Sequence, residues 1–198
     1  MYNFGVGCEK GILVSGTTRQ VRIIGFNHDD AVDTAAGDKI GITFQFTALL
    51  PPTRPMNTTQ NISTPGTWSN MTLRTTLNGT AFINTFPTDL RAVIRPAVKL
   101  SIHLNRSAVS SNETVWILCD AEYRPSPSVY VSGSATTLLT GEVYEFWTTN
   151  NATILAPSVT IFTRVVISAT EAQGIDSRWG RGAVSPAHTH GIVPAFGV

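Results

Sequence analysis

The chain has 198 residues, with 14 Lys and Arg against 13 Asp and Glu, and charged residues make up only 14% of it. A net charge of +1 without a basic run argues against a protein that neutralises nucleic-acid phosphates by itself, and an acidic solvating tail is equally absent. We therefore expect neither strong direct nucleic-acid binding nor an acidic interaction tail.

Hydroxyl residues take the place of charge, because Thr occurs 27 times and Ser 15 times, whereas Lys occurs three times. Thr and Val favour strands, so the composition predicts an all-β fold. Apolar runs between Pro, Gly, Asn and Ser clusters predict strands at residues 11–15, 20–26, 40–49, 71–77, 98–104, 114–122, 128–132, 142–148 and 159–169. We expect 40–49 and 159–169, the longest runs, to be central strands.

One short helix is expected at residues 88–94, where Thr88 can cap the first turn and Pro96 ends the helix. Together these elements predict an antiparallel two-sheet β-sandwich, jelly-roll-like, with one short helix and long loops. The proline-rich stretch 50–70 is interpreted as a long excursion between strands.

The C-terminal stretch 174–198 contains too much Gly and Pro to predict an element of its own. We therefore divide the chain into a single β-sandwich domain, 1–173, and an extended C-terminal arm, 174–198. Four apolar side chains favour an arm that lies on a neighbouring subunit, since a solvated tail would expose them. The predicted subunit contacts are Trp179, Ile192, Val193 and Phe196.

The sequence contains no motif typical of hydrolases, zinc proteases or phosphate-binding loops. His103 is expected to be structural or to lie between subunits, and His188 and His190 lack a third metal ligand nearby. Glu142 and Glu145 would face opposite sides of the predicted strand and so make a poor acid/base pair. We therefore expect no enzymatic activity, no cofactor and no metal.

An acidic loop contains Asn27, Asp29, Asp30, Asp33 and Asp38. Grouped carboxylates can bind Ca²⁺, but the spacing does not fit an EF-hand, so we favour a solvated turn. Cys8 and Cys119 can form a disulfide only if the fold brings them together, and two separate thiols are at least an equal expectation.

No stretch reaches the roughly 18 apolar residues that a membrane span needs. Residues 1–16 lack the basic and apolar regions of a signal peptide, so the chain either is not secreted by that route or has already lost its signal.

Seven of the eleven asparagines lie in N-x-S/T sequons, more than chance predicts. At face value this indicates a glycosylated exterior. The alternative is that Asn and Thr both concentrate in the loops and strand ends of a Thr-rich β protein. The seven positions are Asn57, Asn61, Asn70, Asn78, Asn105, Asn112 and Asn151.

From Pro87 onward the segment order resembles the viral jelly-roll coat proteins of small icosahedral viruses, notably picorna-like plant virus small coat proteins and turnip-yellow-mosaic-like coats. The resemblance depends on the expected helix followed by VKLSIHL (98–104), ETVWILCDAEYRPSPS (113–128), VYVSGS, GEVYEFWT and VTIFTRVVISA (159–169). The pattern departs from these coats in having few strands between Ser132 and Val159 and no basic N-terminal arm.

The resemblance implies a capsid subunit of a virion that assembles with copies of itself, either alone or together with other coat subunits. The main alternative is a secreted, N-glycosylated β-sandwich, located outside the cell or on its surface, that forms a filament or adhesin. A third possibility is a carbohydrate-binding module that uses Trp68 or Trp179 as a stacking platform, because Trp116 and Trp147 are expected in the core.

Overall fold

The computed structural model describes residues 4–32, 37–55, 68–102, 108–123, 143–150, 154–155, 162–168, 171–176 and 189–198. Its strands are β1 (Glu9–Val14), β2 (Thr17–Phe26), β3 (Ile42–Phe46), β4 (Leu50–Pro55), β5 (Ala97–Ile102), β6 (Ala108–Glu113), β7 (Val115–Ile117), β8 (Ile154–Leu155), β9 (Phe162–Ser168), β10 (Glu171–Asp176), β11 (Thr189–Ile192) and β12 (Pro194–Gly197). All strand pairs in these ranges are antiparallel. The prediction of a mainly β, antiparallel chain is confirmed.

The helices are short and more numerous than expected. They are α1 (Thr72–Leu77), α2 (Thr80–Ile83), α3 (Thr88–Arg91), α4 (Asp120–Tyr123) and α5 (Glu145–Asn150), and a 3₁₀ turn covers Trp68–Asn70. Helix α3 confirms the helix expected at 88–94, but the expectation of one helix is wrong. Within the described ranges no helix has the length and apolarity to cross a bilayer.

Two predicted strands are in fact helical. In the run 71–77 the buried side chains Leu73 and Leu77 are four residues apart, a helical spacing that the alternation of Met71 and Leu73 conceals. In the run 142–148 the same ambiguity arises, because Tyr144 and Trp147 lie three residues apart and are both buried. Short apolar runs do not distinguish a strand from a helix by period alone.

The largest sheet has five strands in the order β1-β2-β3-β12-β7. Strand β3 lies at its centre, as expected for the run 40–49, although the strand covers only part of that run. Strand β9, in the run 159–169, is the middle strand of a second sheet, β10-β9-β8. Strands β5 and β6 form a hairpin, and β4 pairs with β11.

Other predicted boundaries are wrong or untested. The run 114–122 contains only the short strand β7, after which α4 begins. Strands β4 and β6 were not expected, because prolines interrupt the first and the second, AVSSNE, is largely polar. The predicted strand 128–132 lies outside the described residues.

The C-terminal stretch forms strands, so the expectation that it contains no element is wrong. Strand β12 pairs with β3 on one side and with β7 on the other. Pro194 is tolerated because it is the first residue of the strand. Gly197 is required by packing, since a Cβ at this position would overlap the side chain of Ile40. The same Gly and Pro residues that suggested a loop therefore fit a tightly packed strand.

Phe196 on β12 lies at the centre of an aromatic group. Its ring packs against Phe44, Phe46 and Phe86, with centroid separations of 5.6, 6.1 and 5.5 Å. Its side chain is only 1% exposed. The aromatic group joins β12 and β3 to the segment between α2 and α3.

We expect Phe196→Ala to lower the free energy of unfolding by about 3 to 5 kcal/mol, because it removes a buried ring and leaves a cavity. Phe4→Ala is the matched control, since Phe4 is 71% exposed and should change stability by no more than about 0.5 kcal/mol. Urea unfolding followed by tryptophan fluorescence measures both. Equal effects of the two substitutions would contradict the placement of Phe196 in the core.

Candidate functional site

A buried lysine marks the candidate site. Lys99 lies on β5, where Ala97, Lys99 and Ser101 alternate inward and are all buried. The Lys99 side chain is 1% exposed. Because a lysine is almost never fully buried unless it is paired, its partners define the site.

Three side chains surround the Lys99 ammonium group. Its Nζ lies 2.5 Å from Asp29 Oδ1 and 2.5 Å from Glu122 Oε1, and it donates a hydrogen bond to Tyr144 Oη at 3.1 Å. Asp29 and Glu122 are 2% and 0% exposed. We call Lys99, Asp29, Glu122 and Tyr144 the Lys99 cluster.

The backbone brings these four residues together from distant parts of the chain. The Asp29 segment is bound to β5, because Val98 N donates to Asp30 O at 2.9 Å. The residue before α5, Tyr144, donates its backbone N–H to Glu122 O at 3.1 Å. The segment after β2, strand β5, α4 and the start of α5 therefore all meet at one ammonium group.

Further donors surround the Asp29 carboxylate. Thr43 Oγ1 donates to Oδ2 at 2.7 Å, Tyr144 Oη lies 3.0 Å from both oxygens, and His28 Nδ1 is 3.2 Å from Oδ1. Burial opposes ionisation of Asp29, but the Lys99 ammonium and contacts with His28 outweigh it and hold the pKa of this carboxyl well below its ordinary value. The pair with Lys99 therefore favours the ionised form of Asp29.

Aromatic rings complete the surroundings of the cation. Nζ lies 5.1 Å from the ring centroid of Trp116 and 5.2 Å from that of Tyr144. The His28 ring stacks on Tyr144 with centroids 4.1 Å apart. The site is therefore a buried amine and two buried carboxyl groups packed beside aromatic rings.

A second polar cluster lies around Asn78, directly after α1. Its Nδ2 donates to Arg74 O, Glu113 Oε2 and Val115 O at 3.1, 2.8 and 2.9 Å, and its Oδ1 accepts from the backbone N–H of Thr114 at 2.6 Å. Arg74 Nε binds the other oxygen of the buried Glu113 at 2.6 Å. The side-chain amide of Asn78 thus holds the segment between β6 and β7 against α1.

This arrangement bears on the sequons. A glycan attaches to Nδ2, so Asn78 could carry one only if its internal hydrogen bonds were lost. Asn112 is exposed on β6, and Asn70 lies in the 3₁₀ turn. The remaining sequons, Asn57, Asn61, Asn105 and Asn151, lie outside the described residues.

The predicted subunit contacts are placed mostly in this chain's own core. Ile192, Val193 and Phe196 are each at most 1% exposed, and Trp179 lies outside the described residues. That these residues contact another subunit stays a prediction. It would now require two copies of the chain to exchange β12.

The acidic loop is a solvated turn only in part, because Asn27, Asp30 and Asp38 are exposed but Asp29 is buried. Asp29 is buried against Lys99, whereas Asp30 forms an exposed ion pair with Lys39 at 2.6 Å. Asp33 lies outside the described residues. No group of three or more metal-ligating side chains occurs in the part of the chain that the structure describes. The first two carboxylates of the loop therefore bind ammonium groups.

Other expectations concern single residues. Trp116 and Trp147 are buried, as expected for core residues, and Trp68 is buried too, so it cannot serve as an exposed stacking platform. No disulfide joins Cys8 to Cys119. Glu145 lies on α5, so its expected position on a strand is wrong. Glu142, His103 and His188 lie outside the described residues.

Sequence reasoning missed the Lys99 cluster because it considered each charge within its own segment. The signal was nevertheless present, since Lys99 is one of three lysines and stands in the apolar strand AVKLSI. A lone charge at an inward position of a strand requires a partner. The sequence did not identify the partners of Lys99, because Asp29, Glu122 and Tyr144 all lie on other elements.

A shallow groove of about 430 Å³ lies beside the turn between β1 and β2. The described residues that line it include Val14, Leu50, Pro51 and Phe82, and Arg19 is the one ionisable side chain among them. The groove therefore offers an apolar surface and a single cation, which is not a catalytic constellation.

We expect Lys99→Met to lower the free energy of unfolding by about 3 to 5 kcal/mol, because it leaves two buried carboxyl groups without their cation. Lys39→Met is the matched control. Its exposed pair with Asp30 should be worth no more than about 1 kcal/mol. Chemical denaturation of both variants measures the difference, and similar losses would contradict the buried character of Lys99.

We expect Asn78→Asp to destabilise the protein by at least about 2 kcal/mol, since an acceptor replaces a donor opposite Glu113 and two carbonyl oxygens. Asn84→Asp is the control, because Asn84 Oδ1 already accepts from Arg91 Nη1 at 2.6 Å. That substitution should change stability by no more than about 1 kcal/mol. Thermal unfolding of both variants provides the test, and a tolerated Asn78→Asp would contradict the assigned hydrogen bonds.

Comparison with known proteins gives no further guidance on this site. No protein-family model, curated protein sequence or solved structure matches the chain. The functional proposals that follow therefore depend on the geometry and chemistry of the chain's own residues.

Proposed function

We propose that this protein is a structural virion protein, a coat subunit with a jelly-roll-like two-sheet sandwich that assembles with copies of itself into a particle shell. The observation that carries the proposal is the edge of the five-stranded sheet. Strand β1 pairs with β2 and with no other strand among the described residues. Its outer edge can therefore pair with another subunit.

The side chains of β1 support this use of the edge. Charges occur at its first two residues, Glu9 and Lys10, whereas the rest of the strand, GILV, carries none. Leu13 is 52% exposed. Charges on an edge strand usually oppose pairing with another chain. The four-residue part GILV carries none and exposes a leucine, as is typical of a surface that another chain covers.

The overall charge is consistent with packing of like subunits. A net charge of +1 produces little repulsion between copies. With so little positive charge, neutralisation of a genome would be left to another coat subunit or to small cations. The proposed partners are therefore copies of the chain, alone or together with other coat subunits, and the proposed location is the virion.

The alternative is a secreted, N-glycosylated subunit of an extracellular filament or adhesin. The seven sequons favour it, and Asn112 is exposed and could accept a glycan. Asn78 argues against a glycan at one sequon, because its side-chain amide is hydrogen-bonded within the chain. The intact mass of native material separates the two proposals, because several glycans would add kilodaltons.

We expect the wild-type protein to form closed particles as its concentration rises, and Leu13→Lys to prevent this, because a charge at the edge must be desolvated on pairing. Val93→Lys is the matched control, since Val93 is 53% exposed but does not belong to a sheet edge. Light scattering after size exclusion and negative-stain electron microscopy measure the outcome.

The results separate the candidate functions. Closed shells that Leu13→Lys abolishes and Val93→Lys retains would support the coat proposal. Filaments in place of shells would favour the extracellular alternative. A wild-type protein that stays monomeric at high concentration would overturn both.

A further inference from the structure

The Lys99 cluster holds the groups that an amide condensation requires. A primary amine, Lys99 Nζ, is 2.5 Å from Asp29 Oδ1, and a second carboxyl group, Glu122, is 2.5 Å from the same nitrogen. All three are at most 2% exposed. We propose that Lys99 and Asp29 become joined by an intramolecular isopeptide bond, with Glu122 as the proton carrier.

The reaction balances without any reagent from outside. The ion pair is the resting form, and the reaction proceeds through its minor tautomer, in which one Lys99 proton has moved to Asp29 and leaves a neutral amine beside a neutral carboxyl group. Nζ then attacks Cγ, the carbon bonded to Oδ1, and Glu122 accepts a proton from the nitrogen. Glu122 returns that proton to the departing hydroxyl, the C–O bond breaks, and water leaves. The products are an amide and an unchanged Glu122 carboxylate.

The hydrogen bonds identify Asp29, and not Glu122, as the carboxyl group that is attacked. Thr43 Oγ1 and Tyr144 Oη lie 2.7 and 3.0 Å from Asp29 Oδ2. These donors are placed where negative charge develops when the amine adds to Cγ. Glu122 Oε2 instead accepts from Cys119 N at 2.7 Å, which leaves Oε1 directed at Lys99.

Burial favours the condensed product. In water an ammonium and a carboxylate do not condense, because the solvent stabilises both ions and water favours hydrolysis of the amide. Here the groups are held in contact, and effective molarities for such arrangements reach about 10⁵ to 10⁸ M. Condensation also converts two buried ions into a neutral amide and removes their desolvation penalty.

The bond would close a large loop, since Asp29 and Lys99 are 70 residues apart in sequence. It would fix the segment that follows β2 to strand β5 by a covalent link. The inference is independent of the proposed function, because it depends only on contacts within one chain.

The test is the intact mass of the purified wild-type protein under denaturing conditions. We expect a mass about 18 Da below that of the sequence, corresponding to one lost water. Trypsin should then yield peptide 23–39, which contains Asp29, covalently joined to peptide 92–106, in which Lys99 is no longer cleaved. Lys39 is an internal control, because its exposed ion pair with Asp30 should leave it cleavable.

Variants test the assigned roles. Glu122→Gln cannot carry a proton and should retain the full mass of its own sequence. Asp29→Asn should lose about 17 Da, because ammonia replaces water as the leaving group. Lys39→Met should behave as wild type. Circular dichroism shows whether each variant folds, and the wild-type mass decides the proposal even if a variant does not.

A folded wild-type protein with its full sequence mass and a cleavable Lys99 would overturn the proposal. A link from peptide 92–106 to peptide 107–164, which contains Glu122 because Pro125 prevents cleavage after Arg124, would overturn the choice of Asp29. A loss of about 18 Da that persists in Glu122→Gln would overturn the role of Glu122.

Discussion

One buried ammonium group is the contact on which the architecture around β5 depends. The Lys99 side chain joins Asp29, Glu122 and Tyr144, which come from three other segments of the chain. Apolar packing tolerates small shifts, but a buried polar network is favourable only when each member meets its partner. The cluster therefore specifies one arrangement of these segments as well as stabilising it.

The same logic extends to the hairpin that carries Lys99. Strand β6 has the polar sequence AVSSNE and can bury little apolar surface. The hairpin is instead attached through one buried charge on each strand, Lys99 on β5 and Glu113 on β6. Glu113 in turn binds Arg74 and Asn78 beside α1. Polar contacts thus attach this hairpin to its neighbours, whereas the aromatic group around Phe196 attaches β12 by apolar packing.

Local sequence features were sufficient for much of the fold. The β-rich composition, the first two strands, β5 and the helix at α3 follow from propensity, alternation and capping, which act within a few residues. Predictions were wrong where one pattern fits two structures, as at Leu73 and Leu77, whose spacing matches a helix while the run also alternates. The length and the period of such a short run do not decide between helix and strand unless it is known which face is buried.

The C-terminal strand and the candidate site were beyond reach for a different reason. Pro194 and Gly197 resemble loop residues until their neighbours, β7 and Ile40, are known. Likewise nothing near Asp29 in sequence indicates that its counter-ion is Lys99. Long-range pairing determines both features, and a single sequence contains little information about such pairing.

The position of β12 has a consequence for how the chain folds as it is synthesised. Ala195 pairs with Gln45 on one side and with Trp116 on the other, so the gap between β3 and β7 stays open until residues 194–197 have left the ribosome. Until then two strands with inward-facing aromatic side chains present unpaired edges. Chaperone binding to the nascent chain, or assembly delayed until translation passes this point, would protect those edges from premature association.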